Sequence, residues 1–308
     1  APALLDESAT RAGIAVAHSV FNLLCTAMLL PAGDLLEKLA IRLVPDSKSA
    51  ETVSELDERL LAAPSLALSR SRAVACEMAQ CAVRALNNAL RSFTEYTDTL
   101  ARSIRDDEER CDHYEDILGT YLVQLSARKM GVDESEEATE LLKSIGDFER
   151  ISDHAVNILE SAEELRGKSL AFSAAAAREY DVLAAIGEIL DLSLRSFERQ
   201  DVALAELVEP LEQVIDTLKE QMRTRHILRM QQGHCSIEAG FVWSDLLTNL
   251  ERTSDHCSNI AGCVIDAAQH NLNLHETLRA AHSDTHAFRS EFQRYVAKYA
   301  LPAPASAQ

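Results

Sequence analysis

A chain of 308 residues with 30 Lys and Arg against 49 Asp and Glu carries a net charge of −19, which repels a phosphate backbone and excludes nucleic-acid binding. Seven Pro, ten Gly and 5% aromatic residues leave few breakers in a sequence rich in Ala, Leu, Glu and Arg, so the chain reads as almost wholly helical. Its seven Cys are odd in number and form no CxxC pair; they point to reduced thiols, with Cys76 and Cys81 as packing residues.

In chain order, Ile14 to Leu30 is an uncharged run closed by Pro31, at the short limit for a membrane-crossing helix. On hydropathy alone it is equally a buried helix, and it lacks the basic start and small-residue cleavage site of a signal peptide. Lys38, Arg42 and Lys48 follow and favour the cytoplasm for what comes after. A short amphipathic helix is expected over Asp34 to Val44, and a polar connector from Asp46 to Ala63. Pro64 then opens a helix expected from Ser65 to Arg102, whose apolar positions recur every three or four residues. Further helices are expected over Asp106 to Met130, Ser135 to Arg166, Ser173 to Gln200, Ala203 to Gln231 and Ile237 to Gln269. Breaks fall at Gly131-Val132-Asp133, Gly167-Lys168-Ser169 and Gln232-Gly233-His234, and a last helix near Leu274 to Ala300 precedes a Pro/Ala/Ser tail. The fold class is all-α: two tandem three-helix bundles preceded by a terminal membrane helix. The expected domains are 1–45 (membrane end), 46–63 (linker), 64–300 (six-helix domain with its C-terminal helix) and 301–308 (disordered tail).

Two segments are copies. Glu149-Arg-Ile-Ser-Asp153-His-Ala-Val-Asn157-Ile158 returns as Glu251-Arg-Thr-Ser-Asp255-His-Cys-Ser-Asn259-Ile260, identical at seven of ten positions. An acid four residues before an Asp puts two carboxylates on one helix face, where they repel unless something offsets them. Asp112 and Asp116 in the first half, and Glu212 and Asp216 in the second, repeat the spacing upstream, at the distance expected of a neighbouring antiparallel helix. If those faces meet, four carboxylates converge in each half, and oxygen-only donors suit a hard cation such as magnesium or manganese and also accept iron. The competing reading of any one such pair is an ordinary solvated helix face. His154 and His256 lie one position past each Asp and read as bordering groups or core residues, while Asn157 and Asn259 continue the acid face. Arg150 and Arg252 read as screening partners. His234-Cys235, in the turn before the last repeat helix, is a weak metal signal.

No Gly-rich phosphate loop or GxSxG elbow appears, and no Glu stands three residues before any His, which removes a di-metal carboxylate oxidase. A binding module, with no enzymatic activity, or a structural helical scaffold remains.

ERISDHAVNI and ERTSDHCSNI resemble the ERxGDHxxNI motif of PhoU-like domains, with Ser152 and Ser254 at the position usually held by Gly. The likeness spans Pro64 to Gln269 and implies two three-helix bundles, regulation of phosphate uptake, and metal ions, often iron or zinc. By motif the implied ligands are Glu149, Asp153, Glu251 and Asp255, with Asp112, Asp116, Glu212 and Asp216 facing them. Ala17-His18-Ser19-Val20-Phe21-Asn22 and Pro64-Ser65-Leu66-Ala67-Leu68 resemble the last membrane helix and the domain entry of bacterial sodium/phosphate cotransporter family proteins. That second resemblance implies a regulatory C-terminal domain on a sodium-dependent phosphate transporter at the inner membrane, facing the cytoplasm. The implied partners are the transporter's membrane core, a phosphate-signalling protein and further copies of the chain; the alternative is a free-standing regulator.

Overall fold

A computed structural model describes residues 11–29, 56–173, 176, 179, 184–269 and 286–301, and among these no strand occurs. The expected helix over Asp34 to Val44, most of the connector, the start of the helix near Leu274 and the tail beyond Leu301 lie outside them. Contacts divide the chain into Ala1–Val53 and Ser54–Gln308.

The first unit contains α1 (Arg11–Leu29). Val16, Val20, Phe21, Leu23 and Leu24 on it are all exposed. Leu30, the last residue of the uncharged run, lies outside the described residues, and among the described residues no helix is long and apolar enough to cross a membrane.

The second unit begins with a 3₁₀ turn, Glu58–Ala62, capped by the Asp57 side chain. Then come α2 (Pro64–Ser92), α3 (Asp98–Ser126) and α4 (Val132–Gly167), which form one bundle. The second bundle is α5 (Ala184–Arg199), the single turn α6 (Val202–Ala205), α7 (Val208–Gln231) and α8 (Ile237–Gln269). The last described helix, α9 (His286–Lys298), lies on α7. Ala67, Ala75, Ala79, Ala82, Ala85 and Ala89 make α2 thin on its buried side, so α4 and α3 approach it closely. Phe148 of α4 meets Phe197 of α5 edge to face, with ring centroids 5.0 Å apart, which ties the two bundles together.

The helix expected from Ser65 to Arg102 is shorter than its apolar periodicity suggests. It ends at Ser92, and α3 starts at Asp98, where the sequence reading ran on to Arg102. Thr97 is extended and its hydroxyl accepts a hydrogen bond from the Leu100 amide, while the amides of Thr94 and Glu95 both turn back to the Arg91 carbonyl. A side-chain cap satisfies an otherwise orphaned helix donor, and here it prevails over an uninterrupted apolar pattern. Likewise Ala203 to Gln231 is divided: Glu206 and Leu207 separate α6 from α7.

α4 and α5 both end with a residue in the left-handed region, Ser169 and Gln200, and the α7–α8 turn uses Gly233 in the same way. In each case the next amide bonds a carbonyl five residues back: Leu170 to Leu165, Asp201 to Ser196, His234 to Arg229. This closure satisfies the last helix carbonyls. The long helices α4 and α8, which carry the two copied motifs, lie against each other at the centre of this unit.

Candidate functional site

Ser152 and Ser254, at the small position of each motif, are buried, and each returns its hydroxyl to the carbonyl three residues before, Glu149 and Glu251. The buried stripes of α4 and α8, including Phe148, Ile151, Ala155, Ile158, Leu250, Cys257 and Ile260, fix the rotation of both helices. Glu149 and Glu251 are thereby left half-buried, with Asp153 and Asp255 exposed beside them.

In the first half the field at Glu149 shows which acids face it. Its carboxyl is pushed up to about 6, mainly by burial, then by Asp153, with Arg150 opposing and Glu115 and Asp112 adding. Glu108 is raised by burial and by Asp153 and Asp112. The face that α3 turns toward α4 is thus Glu108, Asp112 and Glu115, which recur every three or four residues as one stripe. Glu108 and Glu115 were not legible as site residues. Asp116 is exposed, one position beyond Glu115.

The second half is more crowded. Glu212 is pushed up to about 8 by burial, then by Glu209, Asp255, Asp216 and Glu251, and Asp255 is raised by burial and by Glu251. Glu209 is buried and accepts a 2.5 Å hydrogen bond from Ser258. A lysine also enters this stripe: Lys219 Nζ lies 3.1 Å from Glu251, 3.7 Å from Asp216 and 3.3 Å from Glu220. The position that matches Lys219 in the first half is Gly119.

The two histidines do not enter the acid stripes. His154 Nδ1 is 2.9 Å from Asn249 and His256 Nδ1 is 2.8 Å from Asp147, positions that correspond between the copies. The rings stack with centroids 5.6 Å apart, so they form the centre of the α4–α8 contact. Asn259 joins this group by donating to Asp147 at 3.2 Å, while Asn157 is exposed. Burial is the main reason His154 is harder to protonate than a free histidine.

As donors for a hard cation the stripes fit in charge and atom type, because like carboxylates crowd together where a positive ion would relieve them. They do not fit in convergence: among the described residues no three His, Cys, Asp or Glu side chains are placed to hold an ion.

A family model for the PhoU domain matches residues 75–162 and 181–264, more than half of the chain. Among its relatives, the phosphate-specific transport system accessory protein PhoU homolog 1 of Thermotoga maritima is 26% identical over 199 residues, which span 64% of this chain and 85% of that one. The corresponding homolog of Pseudomonas putida is 27% identical over 189 residues, 58% of this chain and 70% of its own. The crystal structure of PhoU from Pseudomonas aeruginosa aligns with a TM-score of 0.62 at 22% identity, covering 66% of this chain and 98% of the other. PhoU from Streptococcus pneumoniae aligns at 0.60 and 18% identity, covering 68% and 99%. These two likenesses concern the fold alone.

Proposed function

This chain belongs to the PhoU domain family, and from that premise we propose that it regulates phosphate uptake by docking on a phosphate transporter or a phosphate-signalling partner. The observation that carries this reading is the family match across both bundles, joined to relatives named as accessory proteins of phosphate transport. A docking role also suits the exposed Ile237 and Phe241, one turn apart on α8.

The transporter of this reading is a sodium-dependent phosphate carrier at the inner membrane; α1, which is not long and apolar enough to cross a membrane by itself, would pack against its membrane core rather than span alone. Two features support it: the AHSVFN segment on α1, and the apolar side chains that α1 leaves exposed within its unit. Deleting residues 56–308 from the carrier should alter the rate of phosphate uptake, or its dependence on phosphate, and leave sodium-coupled uptake measurable. Unchanged uptake would overturn the regulatory reading. If removal instead affects an uptake system encoded separately, the free-standing alternative is correct.

Metal is part of the same reading. Since the carboxylates do not converge as they stand, a cation would have to draw together Glu149 and Asp153 with Asp112 and Asp116 in the first half, and Glu251 and Asp255 with Glu212 and Asp216 in the second; Glu108 and Glu115 extend the first set. The ion, whether iron, zinc, manganese or magnesium, would supply fixed positive charge between α3 and α4 and between α7 and α8. Exchanging Glu149 and Asp153 together for Gln and Asn should lower metal per chain and shrink the thermal shift that added metal produces. A ligand bound only by the folded state stabilises it by RT ln(1 + [L]/Kd), about 2.7 kcal/mol at a hundredfold excess over Kd. Unchanged metal content with a double variant more stable by a few tenths of a kcal/mol would mean a merely repulsive face.

A further inference from the structure

At the opposite end of α7 from the acid stripe, an imidazole, a thioether and a thiol flank the α7–α8 turn. His226 and Met230 are four residues apart on α7 and share a face, and Cys235 follows the Gly233 turn. Cys235 Sγ lies 4.0 Å from His226 Nε2, a separation that two ligands of one metal ion adopt when metal–donor bonds are about 2.0–2.3 Å. Met230 and His226 both aim at the backbone of Gly240 on α8, where a Cβ would meet Met230 Sδ at 2.6 Å and His226 Nε2 at 3.0 Å. Gly240 lets both side chains approach the α8 backbone, and a Cβ there would push Met230 aside. We propose that His226, Met230 and Cys235 form a binding site for a soft monovalent metal ion, copper(I).

The donor set selects the ion. A thioether is a poor ligand for zinc or for hard cations, whereas thiolate, thioether and imidazole together suit copper(I). Charge agrees with this choice. Copper(I) on one thiolate is neutral overall, but a divalent ion there would leave a net positive charge against the buried Trp243, whose indole stacks on His226 with centroids 6.0 Å apart. The nearby Arg229 is already neutralised by a bidentate pair with Glu179, at 2.8 and 2.9 Å. A neutral imidazole offers a nitrogen lone pair to the ion without deprotonation. Binding replaces the thiol hydrogen by the metal and releases one proton to solvent, with no change of oxidation state. Access is from the turn, where Met230 and Cys235 are half-buried and His226 lies beneath them. The adjacent His234 is exposed and is not part of the set.

Trp243 is the sole tryptophan of the chain and reports on the site. Copper(I) titrated anaerobically into the full chain, against a coloured copper(I) chelator, should transfer to the protein, quench Trp243 and release one proton per ion bound. Cys235→Ser and Met230→Leu, each with its helical circular dichroism retained, should each weaken binding at least tenfold and abolish the quenching. If Cys235→Ser does not fold, Met230→Leu decides alone. Wild-type binding in Met230→Leu, or zinc taken up equally by that variant and the wild type with the same quenching, would reduce the site to a thiol–imidazole pair and overturn the proposal. Absence of any copper(I)-dependent change in Trp243 would overturn it as well.

Discussion

Glu212 combines burial with four neighbouring acids, and the sign of its effect on stability depends on pH. Its carboxyl ionises at about 8 in the folded chain against an ordinary value of 4.5. A raised acid costs the fold nothing below about pH 4.5, where both states are protonated, and costs progressively more until the folded group ionises. In metal-free buffer, Glu212→Gln is therefore expected to melt like the parent near pH 4.5 and increasingly above it up to pH 8, after which the difference levels off. Partial solvent exposure of Glu212 keeps the gain to the order of one or a few kcal/mol. A melting difference that is constant from pH 4.5 to 9 would mean that Glu212 is not held protonated. Ser169 tests a different kind of strain, because its left-handed φ of 52° burdens a residue with a Cβ. Ser169→Gly should raise stability by about 0.5–1 kcal/mol, read by denaturant unfolding at unchanged m.

At the level of helices, the two halves are copies that have been neutralised differently. α7 inserts Lys219 against Glu251 and Asp216, while α3 has Gly119 at that place, where an added Cβ would meet nothing within 4 Å. A resident ammonium offsets repulsion that would otherwise recruit a cation. Lys219→Met should then increase the stabilisation by divalent metal, and Gly119→Lys should reduce it; equal responses of both variants and the parent would dismiss the stripes as cation sites. This asymmetry was invisible to a search for repeats, because Glu108, Glu115 and Lys219 stand opposite Val208, Ile215 and Gly119 in the other copy. What recurs, such as Glu149 and Glu251 on the central helices, was legible because the helical period places them without ambiguity. Helix ends were legible at Gly131 and Gly233, where the sequence carries the breaker itself. The end at Ser92 was not, since Thr97 acts through a single side-chain hydrogen bond inside a stretch that is still apolar in period. Similarly, Gly167 marks the end of α4 in sequence, yet the left-handed turn falls on Ser169.

Across the molecule, Ser54–Gln308 builds its core from both bundles and centres it on the α4–α8 contact, where the duplication becomes a near-symmetric pair. The symmetry is broken at its centre, since His154 meets the neutral Asn249 and His256 meets the carboxylate of Asp147. Ala1–Val53 is a separate unit, and its helix α1 leaves Val16, Val20, Phe21, Leu23 and Leu24 exposed. Fully burying one such side chain is worth about 1.5–3 kcal/mol, so a run of them left in water creates a strong drive toward lipid, detergent or another copy. A chain beginning at Ser54 lacks that drive and retains every helix from α2 to α9. It is expected to be monodisperse without detergent and to keep the helical signal and melting temperature of the parent domain, whereas the full chain should self-associate or require detergent in sedimentation and light-scattering measurements. The opposite pair of results, a dispersed full chain and an unfolded shorter one, would make α1 an integral part of the water-soluble core. The reading of α1 as the end of a transporter's membrane region would then lose its physical basis, and the free-standing regulator would be the better account of this chain.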